Sequence, residues 1–193
     1  MNTAEVLKEA LAALRAGGVI LYPTDTVWGI GCDATNPEAV SRVYAIKRRS
    51  EAKSLVLLAS DLDMVARYVK AVPNIAIDLV EVNDRPMTLI YPGAIVGAYG
   101  LAENVVAEDG SVGIRIPMMD FCRELVRKLG RPLVSTSANV SGEATPRRFA
   151  EIPEEIRSAV DYVVPAALER GATGTASQII KVGLGGEVEI IRA

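Results

Sequence analysis

The stretch Val19-Ile20-Leu21-Tyr22-Pro23-Thr24-Asp25-Thr26-Val27-Trp28-Gly29 joins a short apolar run to a polar loop. The run from Val19 to Tyr22 is too short for a helix and stops at a proline, so it predicts a short buried strand. Three polar side chains, Thr24, Asp25 and Thr26, follow the proline directly. Loops at strand ends are where open α/β sheets bind their ligands. The stretch therefore predicts a buried strand and, directly after it, a candidate binding loop.

Helical and extended patterns alternate on both sides of this stretch. Asn36-Pro37 has the form of a helix N-cap followed by a proline at the first helical position. The patterns predict helices at residues 6–14, 37–47, 61–69, 73–82, 120–129 and 154–159, and strands at residues 19–22, 55–58, 87–91, 112–116, 133–135, 162–164, 177–181 and 188–191. No repeat, low-complexity tract or linker interrupts this alternation. We therefore expect one α/β domain that spans residues 1–193.

The composition excludes several classes of function. Half of the 193 residues are hydrophobic and 23% are charged, which is typical of a globular protein. Histidine is absent, which excludes Ser-His-Asp and Cys-His catalysis and histidine metal ligands. Cys32 and Cys122 have no CxxC spacing, so they predict buried, reduced thiols and neither a zinc site nor a disulfide framework. We find no signal-peptide or membrane-helix pattern, and we expect a cytoplasmic protein.

A basic segment follows the predicted helix that begins at Pro37. From Arg42 to Lys53 there are five basic residues and one acidic residue, net +4 in a chain whose formal net charge is −3. A solvated helix end would account for these cations, because the helix dipole favours positive charge there. Adjacent like charges repel, however, and a bound polyphosphate would relieve that repulsion. Lys47, Arg49 and Lys53 are therefore candidate phosphate ligands.

Two further segments carry polar side chains at strand ends. Arg115 points to the face opposite Ile114 and Ile116, where it is either ion-paired within the fold or directed into a cleft for a carboxylate. The segment from Ser135 to Gly142 is rich in small hydroxyl and amide side chains, which form either a polar turn or a ligand-binding loop. Trp28 is expected to lie in the core or in a cleft wall.

The inventory of side chains favours positioning and charge neutralisation over acid–base catalysis. No P-loop motif is present, and no pair of carboxylates has a distinctive spacing. Basic and hydroxyl side chains at strand ends suit the binding of anions. The residues therefore favour phosphoryl or nucleotidyl transfer.

At these segments the sequence resembles the threonylcarbamoyl-AMP synthase family, the YrdC-like or TsaC domain. The motifs of that family are YPT-x-T-x-x-G, K-x-R with a further basic or polar residue, V-x-x-R-x-P and S-x-N-x-S-G. In this chain they lie at Tyr22–Gly29, Lys47–Arg49 with Lys53, Val112–Pro117 and Ser137–Gly142. Each motif alone is weakly specific, but the four occur in the family's order over nearly the whole chain.

The resemblance implies a single-domain YrdC-like fold, a twisted open mixed sheet with helices and a concave basic cleft. It implies a nucleotidyltransferase that forms threonylcarbamoyl-AMP and pyrophosphate from L-threonine, bicarbonate and ATP, for threonylcarbamoyladenosine modification of tRNA by downstream enzymes. Mg²⁺ is expected to bind through the ATP phosphates, without a metal site on the protein. The implied catalytic residues are Lys47 and Arg49. The implied threonine ligands are Thr26, Arg115, Ser137 and Ser177, and the implied ATP ligands are Arg49, Lys53, Ser111, Asn139, Arg147 and Arg192.

Two alternatives use the same residues. One is a module that binds double-stranded RNA or tRNA in the basic cleft without catalysis. The other is a paralogue that accepts another amino acid or only binds a nucleotide. The chain is net acidic and offers one local +4 segment and a few arginines, so we expect RNA binding to be weak and to fall steeply with salt. We expect no membrane association.

Overall fold

The apolar run at residue 20 forms a strand with a neighbour on each side. In the computed structural model, which describes residues 2–50 and 55–193, strand β1 (Ile20–Tyr22) is completely buried. It pairs antiparallel with β2 (Gly29–Gly31), and the loop between them is the polar segment 23–28. β1 also pairs in parallel with β8 (Tyr162–Val163). The candidate binding loop is therefore held at both ends by buried, paired strands.

The strands form two mixed sheets. The remaining strands are β3 (Leu57–Leu58), β4 (Met87–Tyr91), β5 (Val112–Arg115), β6 (Leu133–Val134), β7 (Thr136–Ser137), β9 (Gln178–Val182) and β10 (Val188–Arg192). One sheet has the order β7-β2-β1-β8, and the other has the order β10-β9-β4-β5-β3-β6. Both contain parallel and antiparallel pairs, which confirms the predicted α/β class with mixed pairing. The strands form two sheets, whereas a single sheet was expected from the sequence.

Each predicted helix is present, with small shifts at its ends. The helices are α1 (Thr3–Arg15), α2 (Pro37–Lys47), α3 (Leu62–Tyr68), α4 (Asn74–Val82), α5 (Asp120–Leu129) and α6 (Glu154–Ala159). The Asn36 side chain accepts a hydrogen bond from the Ala39 amide at 3.1 Å, which confirms the predicted N-cap of α2. At the other end of α2, Arg48 adopts the left-handed conformation with φ 50°. The chain therefore changes direction directly after Lys47.

Two short strands, β2 and β7, were not predicted. Two of the three residues of β2 are glycines, so the strand has no apolar pattern to detect. A β-carbon at Gly31 would lie 2.2 Å from the carbonyl oxygen of Val134 and 2.7 Å from Tyr22 Cε1. Val134 ends strand β6 of the other sheet, and its amide donates to the Cys32 carbonyl at 2.8 Å. Gly31 therefore allows the two sheets to approach each other closely.

We expect Gly31→Ala to lower the free energy of unfolding by about 1–3 kcal/mol, because the added methyl meets a backbone carbonyl and a buried ring. Urea denaturation measures this loss. Gly113→Ala in β5 is the matched control, since the nearest atom to its added β-carbon is Thr88 Cγ2 at 3.4 Å. Unchanged stability of Gly31→Ala would contradict the close approach of the two sheets.

The prediction that the two cysteines are buried is confirmed by the structure. Cys32 and Cys122 are both buried and form no disulfide. Burial raises the pKa of the Cys122 thiol to about 12, so that thiol is neutral at physiological pH. Among residues 2–50 and 55–193, no helix is both long enough and apolar enough to cross a membrane.

Candidate active site

Residues of both sheets line one cleft of about 700 Å³. The wall includes residues of β2 and β7 from one sheet and of β4, β5, β9 and β10 from the other. This volume is typical of a site for a small molecule or cofactor. Seven residues that the sequence analysis proposed as substrate ligands line it: Thr26, Arg49, Ser111, Arg115, Ser137, Ser177 and Arg192. They come from widely separated segments, which the fold brings to one place.

Arg115 lies in the cleft wall and is ion-paired at the same time. The side chain is 3% exposed, and its Nη1 pairs with the Asp25 carboxylate. Its Nη2 lies 3.4 Å from Thr26 Oγ1. The two interpretations of Arg115, an ion pair within the fold and an arginine directed into a cleft, therefore both describe it. The sequence analysis did not propose a role for Asp25, although a buried arginine needs a nearby anion and Asp25 lies in the candidate loop.

Buried hydroxyl groups lie near Arg115. Thr24 Oγ1 and Thr26 Oγ1 are 2.9 Å apart, and Thr88 Oγ1 and Ser177 Oγ are 2.7 Å apart. Thr88 is opposite Arg115 in the β4–β5 pair and lines the cleft. It was not predicted as a site residue. A single threonine in the otherwise apolar strand Met87–Tyr91 is nevertheless a sequence pattern that indicates a polar contact. Hydroxyls both donate and accept hydrogen bonds, so this end of the cleft suits a small polar ligand.

Other charged side chains of the cleft wall are engaged by neighbouring groups. Arg192 donates from Nε and Nη2 to the Ser177 carbonyl at 2.9 and 2.7 Å. Asp109 accepts from Ser111 Oγ at 2.5 Å and pairs with Lys181 at 3.0 Å, and these bonds lower the pKa of Asp109 to about 2. The charged residues of the wall are Arg49, Arg115, Lys181, Arg192, Glu108 and Asp109. Among the described residues the wall therefore carries four cations and two anions, with Lys181 paired to Asp109 and Arg115 paired to Asp25.

Lys47 lies under the Ser137–Asn139 loop and not in the cleft wall. It is 2% exposed, and its Nζ donates to the carbonyl oxygens of Ser137 at 2.6 Å and Asn139 at 2.9 Å. Burial, together with repulsion by Arg49, lowers the pKa of Lys47 to about 8. The sequence analysis expected Lys47 and Arg49 to face the same polyphosphate. The left-handed Arg48 between them ends the helix; Arg49 lines the cleft, and Lys47 does not.

Two other proposed ATP ligands, Asn139 and Arg147, do not line this cleft. Asn139 is 6% exposed and donates from Nδ2 to the carbonyls of Val140 at 3.1 Å and Glu143 at 3.0 Å, so it holds the turn that follows β7. Arg147 lines a separate groove of about 290 Å³ together with Arg148. Lys53 lies outside the described residues.

Trp28 forms part of the cleft wall, as expected. It is 1% exposed, and its indole Nε1 donates to Glu169 Oε2 at 2.6 Å. The ring of Phe149 lies 5.1 Å away, centroid to centroid. Glu169 Oε2 also accepts from the Phe149 amide at 2.7 Å. Trp28 therefore ties the β1–β2 loop to the segment around residue 149, and its hydrogen-bonding group is already satisfied.

Comparison with known proteins assigns the chain to a family. A family model named Sua5/YciO/YrdC, described as telomere recombination, matches residues 12–193. Threonylcarbamoyl-AMP synthase of Stenotrophomonas maltophilia is 36% identical over 176 residues, which cover 89% of this chain and 89% of that protein. Threonylcarbamoyl-AMP synthase of Pseudoalteromonas translucida is 31% identical over 194 residues, covering 97% of this chain and 98% of that protein.

Solved structures show the same fold. P. abyssi Sua5, crystallised with L-threonine, superposes with a TM-score of 0.83 at 22% identity, covering 94% of this chain and 52% of that one. The present chain thus spans about half the length of Sua5. E. coli YciO superposes with a TM-score of 0.77 at 23% identity, covering 99% of this chain and 89% of that one. Because the family model and the curated relatives each match most of its length, this chain belongs to the Sua5/YciO/YrdC family.

Proposed function

We propose that the protein is an L-threonylcarbamoyladenylate synthase, a nucleotidyltransferase that forms threonylcarbamoyl-AMP and pyrophosphate from L-threonine, bicarbonate and ATP. The observation that carries the proposal is the convergence of seven residues from separate motifs on one cleft. Relatives at 31–36% identity over most of the chain carry the name of this activity. The product supplies threonylcarbamoyladenosine modification of tRNA in the cytoplasm, where downstream enzymes consume it.

The amino-acid end of the cleft contains Arg115 and three hydroxyl residues, Thr26, Ser137 and Ser177. A guanidinium presents parallel N–H groups that match a carboxylate, and hydroxyls recognise both the amine and the side-chain hydroxyl of threonine. We assign this end to L-threonine. Thr88 positions Ser177 through the 2.7 Å contact between their hydroxyls.

We assign Arg49, Ser111 and Arg192, which line the same cleft, to the nucleotide. Their charges and donors suit a polyphosphate. Within the described residues, no group of three or more His, Cys, Asp or Glu side chains is arranged to hold a metal ion. The Asp109 carboxylate is already bonded to Ser111 and Lys181. We propose that Mg²⁺ enters as MgATP, held by the phosphates of the substrate, and that Arg49, Ser111 and Arg192 bind those phosphates.

The reaction needs positioning and charge neutralisation. The threonine amine and bicarbonate condense to a carbamate with loss of water, and a carbamate oxygen attacks the α-phosphorus of ATP. The bond from the α-phosphorus to the bridging oxygen breaks, and pyrophosphate leaves. The carbamate is already an anion, so the reaction needs no histidine to deprotonate the nucleophile, and the chain has none. Arg49 would neutralise the phosphates as the two anions approach, and Arg115 would hold the amino-acid carboxylate away from them.

We expect pyrophosphate release to require L-threonine and bicarbonate together. The measurement is a coupled pyrophosphate assay with MgATP, in which threonine and bicarbonate are omitted in turn. Serine and valine are the matched amino-acid controls, because each lacks one substituent of the threonine β-carbon. Pyrophosphate release from ATP alone would contradict the synthase, and equal rates with all three amino acids would indicate a paralogue of different specificity.

A further inference from the structure

Asp25 occupies a buried position between three segments of the chain. It is 6% exposed, and its Oδ1 pairs with Arg115 Nη1. Its Oδ2 accepts from the Met118 amide at 2.9 Å, and its carbonyl oxygen accepts from the Thr173 amide at 3.0 Å. Both carboxylate oxygens are therefore engaged by the protein. Arg115 lines the cleft, whereas Asp25 does not.

This arrangement fixes the orientation of the Arg115 guanidinium. A guanidinium carries five N–H donors in one plane, and a bond to one terminal nitrogen, held by a carboxylate that is itself anchored, sets the direction of the others. In this protein the anchor is the Met118 amide, and the second terminal nitrogen lies 3.4 Å from Thr26 Oγ1. The part of the guanidinium that is not bonded to Asp25 is then held next to the hydroxyl of a second cleft residue.

We propose that Asp25 is a positioning residue for the amino-acid substrate, which acts by holding the Arg115 guanidinium in the orientation that receives the carboxylate of L-threonine. The inference rests on the proposed function, because it takes Arg115 and Thr26 as threonine ligands. We expect Asp25 to affect threonine binding and not ATP binding. The reason is that its carboxylate contacts Arg115, which is assigned to threonine. Preorganising a ligand group in this way lowers the entropy lost when the substrate binds.

The variant Asp25→Asn tests the inference. The side chain of asparagine has a single oxygen. If that oxygen accepts from the Met118 amide, the NH₂ group faces the Arg115 donor. Two donors cannot bond to each other, so the guanidinium must turn away. We expect the KM for L-threonine to rise by about 10- to 100-fold. We expect the KM for MgATP to change by no more than about threefold. Steady-state kinetics with each substrate varied in turn, and calorimetric titration with L-threonine, measure the two effects.

Asp33→Asn is the matched control. The side chain of Asp33 is 4% exposed and pairs with Arg131 at 2.7 Å, so it is also a buried carboxylate in an ion pair. It accepts in addition from the amide and the hydroxyl of Thr35, at 2.9 and 2.7 Å. It does not line the cleft. We expect Asp33→Asn to lower the melting temperature and to leave both KM values within about threefold of the wild type.

The outcomes separate the inference from the function on which it rests. If the wild type shows no threonine-dependent pyrophosphate release, the proposed function fails. If the wild type is active and Asp25→Asn leaves the threonine KM unchanged, or raises both KM values equally, the positioning role is wrong. If Asp25→Asn does not fold, Asp25→Glu decides, because it keeps the charge but displaces the carboxylate by one methylene. A raised threonine KM in a folded Asp25→Glu protein supports the inference, and an unchanged one overturns it.

Discussion

Lys47→Met is expected to lose about 10²–10³-fold in turnover and, at the same time, about 1–3 kcal/mol of unfolding free energy. Methionine fills a similar volume but donates no hydrogen bond, so the carbonyls of Ser137 and Asn139 lose their contacts to Lys47 Nζ at 2.6 and 2.9 Å. Ser137 lines the cleft, and a shift of its loop would displace a proposed threonine ligand. Pyrophosphate release and urea denaturation of the same protein preparation measure the two losses.

Arg48→Gln is the matched control for Lys47→Met. Arg48 is the adjacent cation, but its side chain is 68% exposed and pairs with the half-exposed Glu155 at 3.2 Å. Exposed ion pairs contribute little to stability, so we expect a change of at most about 1 kcal/mol and turnover close to that of the wild type. If Lys47→Met retained wild-type turnover, Lys47 would be a buried structural lysine without a role in the reaction.

The pH dependence separates the charge of Lys47 from its hydrogen bonds. Its pKa is lowered from 10.5 in the unfolded chain to about 8 in the fold by burial and by the nearby Arg49. Between these values the unfolded chain binds more protons, so the contribution of Lys47 to the unfolding free energy rises with pH in that window. The neutral amine also keeps two N–H groups, enough for the two carbonyls. We expect turnover to fall above pH 8, because the charge of Lys47 beside Arg49 is lost and no longer attracts the ATP phosphates, while circular dichroism shows the fold intact.

The residual activity of Lys47→Met provides the control for this pH profile. It should lack the decline near pH 8, since no amine titrates at that position. The substrate amine loses its proton over a similar range, and this change favours carbamate formation, so it works against the decline. Wild-type turnover that stays constant to pH 9.5 would show that Lys47 acts through its hydrogen bonds and not through its charge.

Arg49→Ala is expected to lose about 10²–10³-fold in turnover with little change in stability. Arg49 is partly exposed in the cleft wall, where it would bind the ATP phosphates as negative charge builds up at the α-phosphorus. Removing it affects a contact made to the substrate. The measurements are single-turnover pyrophosphate release and thermal unfolding.

Two further variants test the chemistry of the Arg49 contact. Arg49→Lys should recover little activity, because a compact ammonium cannot reproduce a forked guanidinium contact. Arg85→Ala removes an exposed arginine that pairs with its neighbour Asp84 at 3.3 Å, and it should retain full turnover. Full recovery by Arg49→Lys would indicate that charge alone matters at this position. Wild-type turnover of Arg49→Ala would remove Arg49 from the site.

The local pattern of the chain was sufficient to predict most of its secondary structure. Asn36 and Pro37 mark the start of α2, and a left-handed Gly130 closes α5, because capping and termination depend on neighbouring residues. The same locality explains the two strands that were missed. β2 contains two glycines and β7 only Thr136 and Ser137, so each is a strand only because a partner strand supplies its hydrogen bonds.

What the sequence by itself determined is a set of candidate ligands: the motifs around Thr26, Arg49, Arg115 and Ser137 identified residues that do line one cleft. Only the tertiary structure decided how they are used. Lys47 bonds to carbonyls 90 and 92 positions away, and Arg115 pairs with an aspartate 90 positions away. Sequence spacing encodes the period of a helix or strand, which is a property of neighbouring residues. It does not encode which distant groups are buried next to each other. In the buried interior, an unpaired charge or carbonyl is costly, so each such group lies beside one that can bond to it.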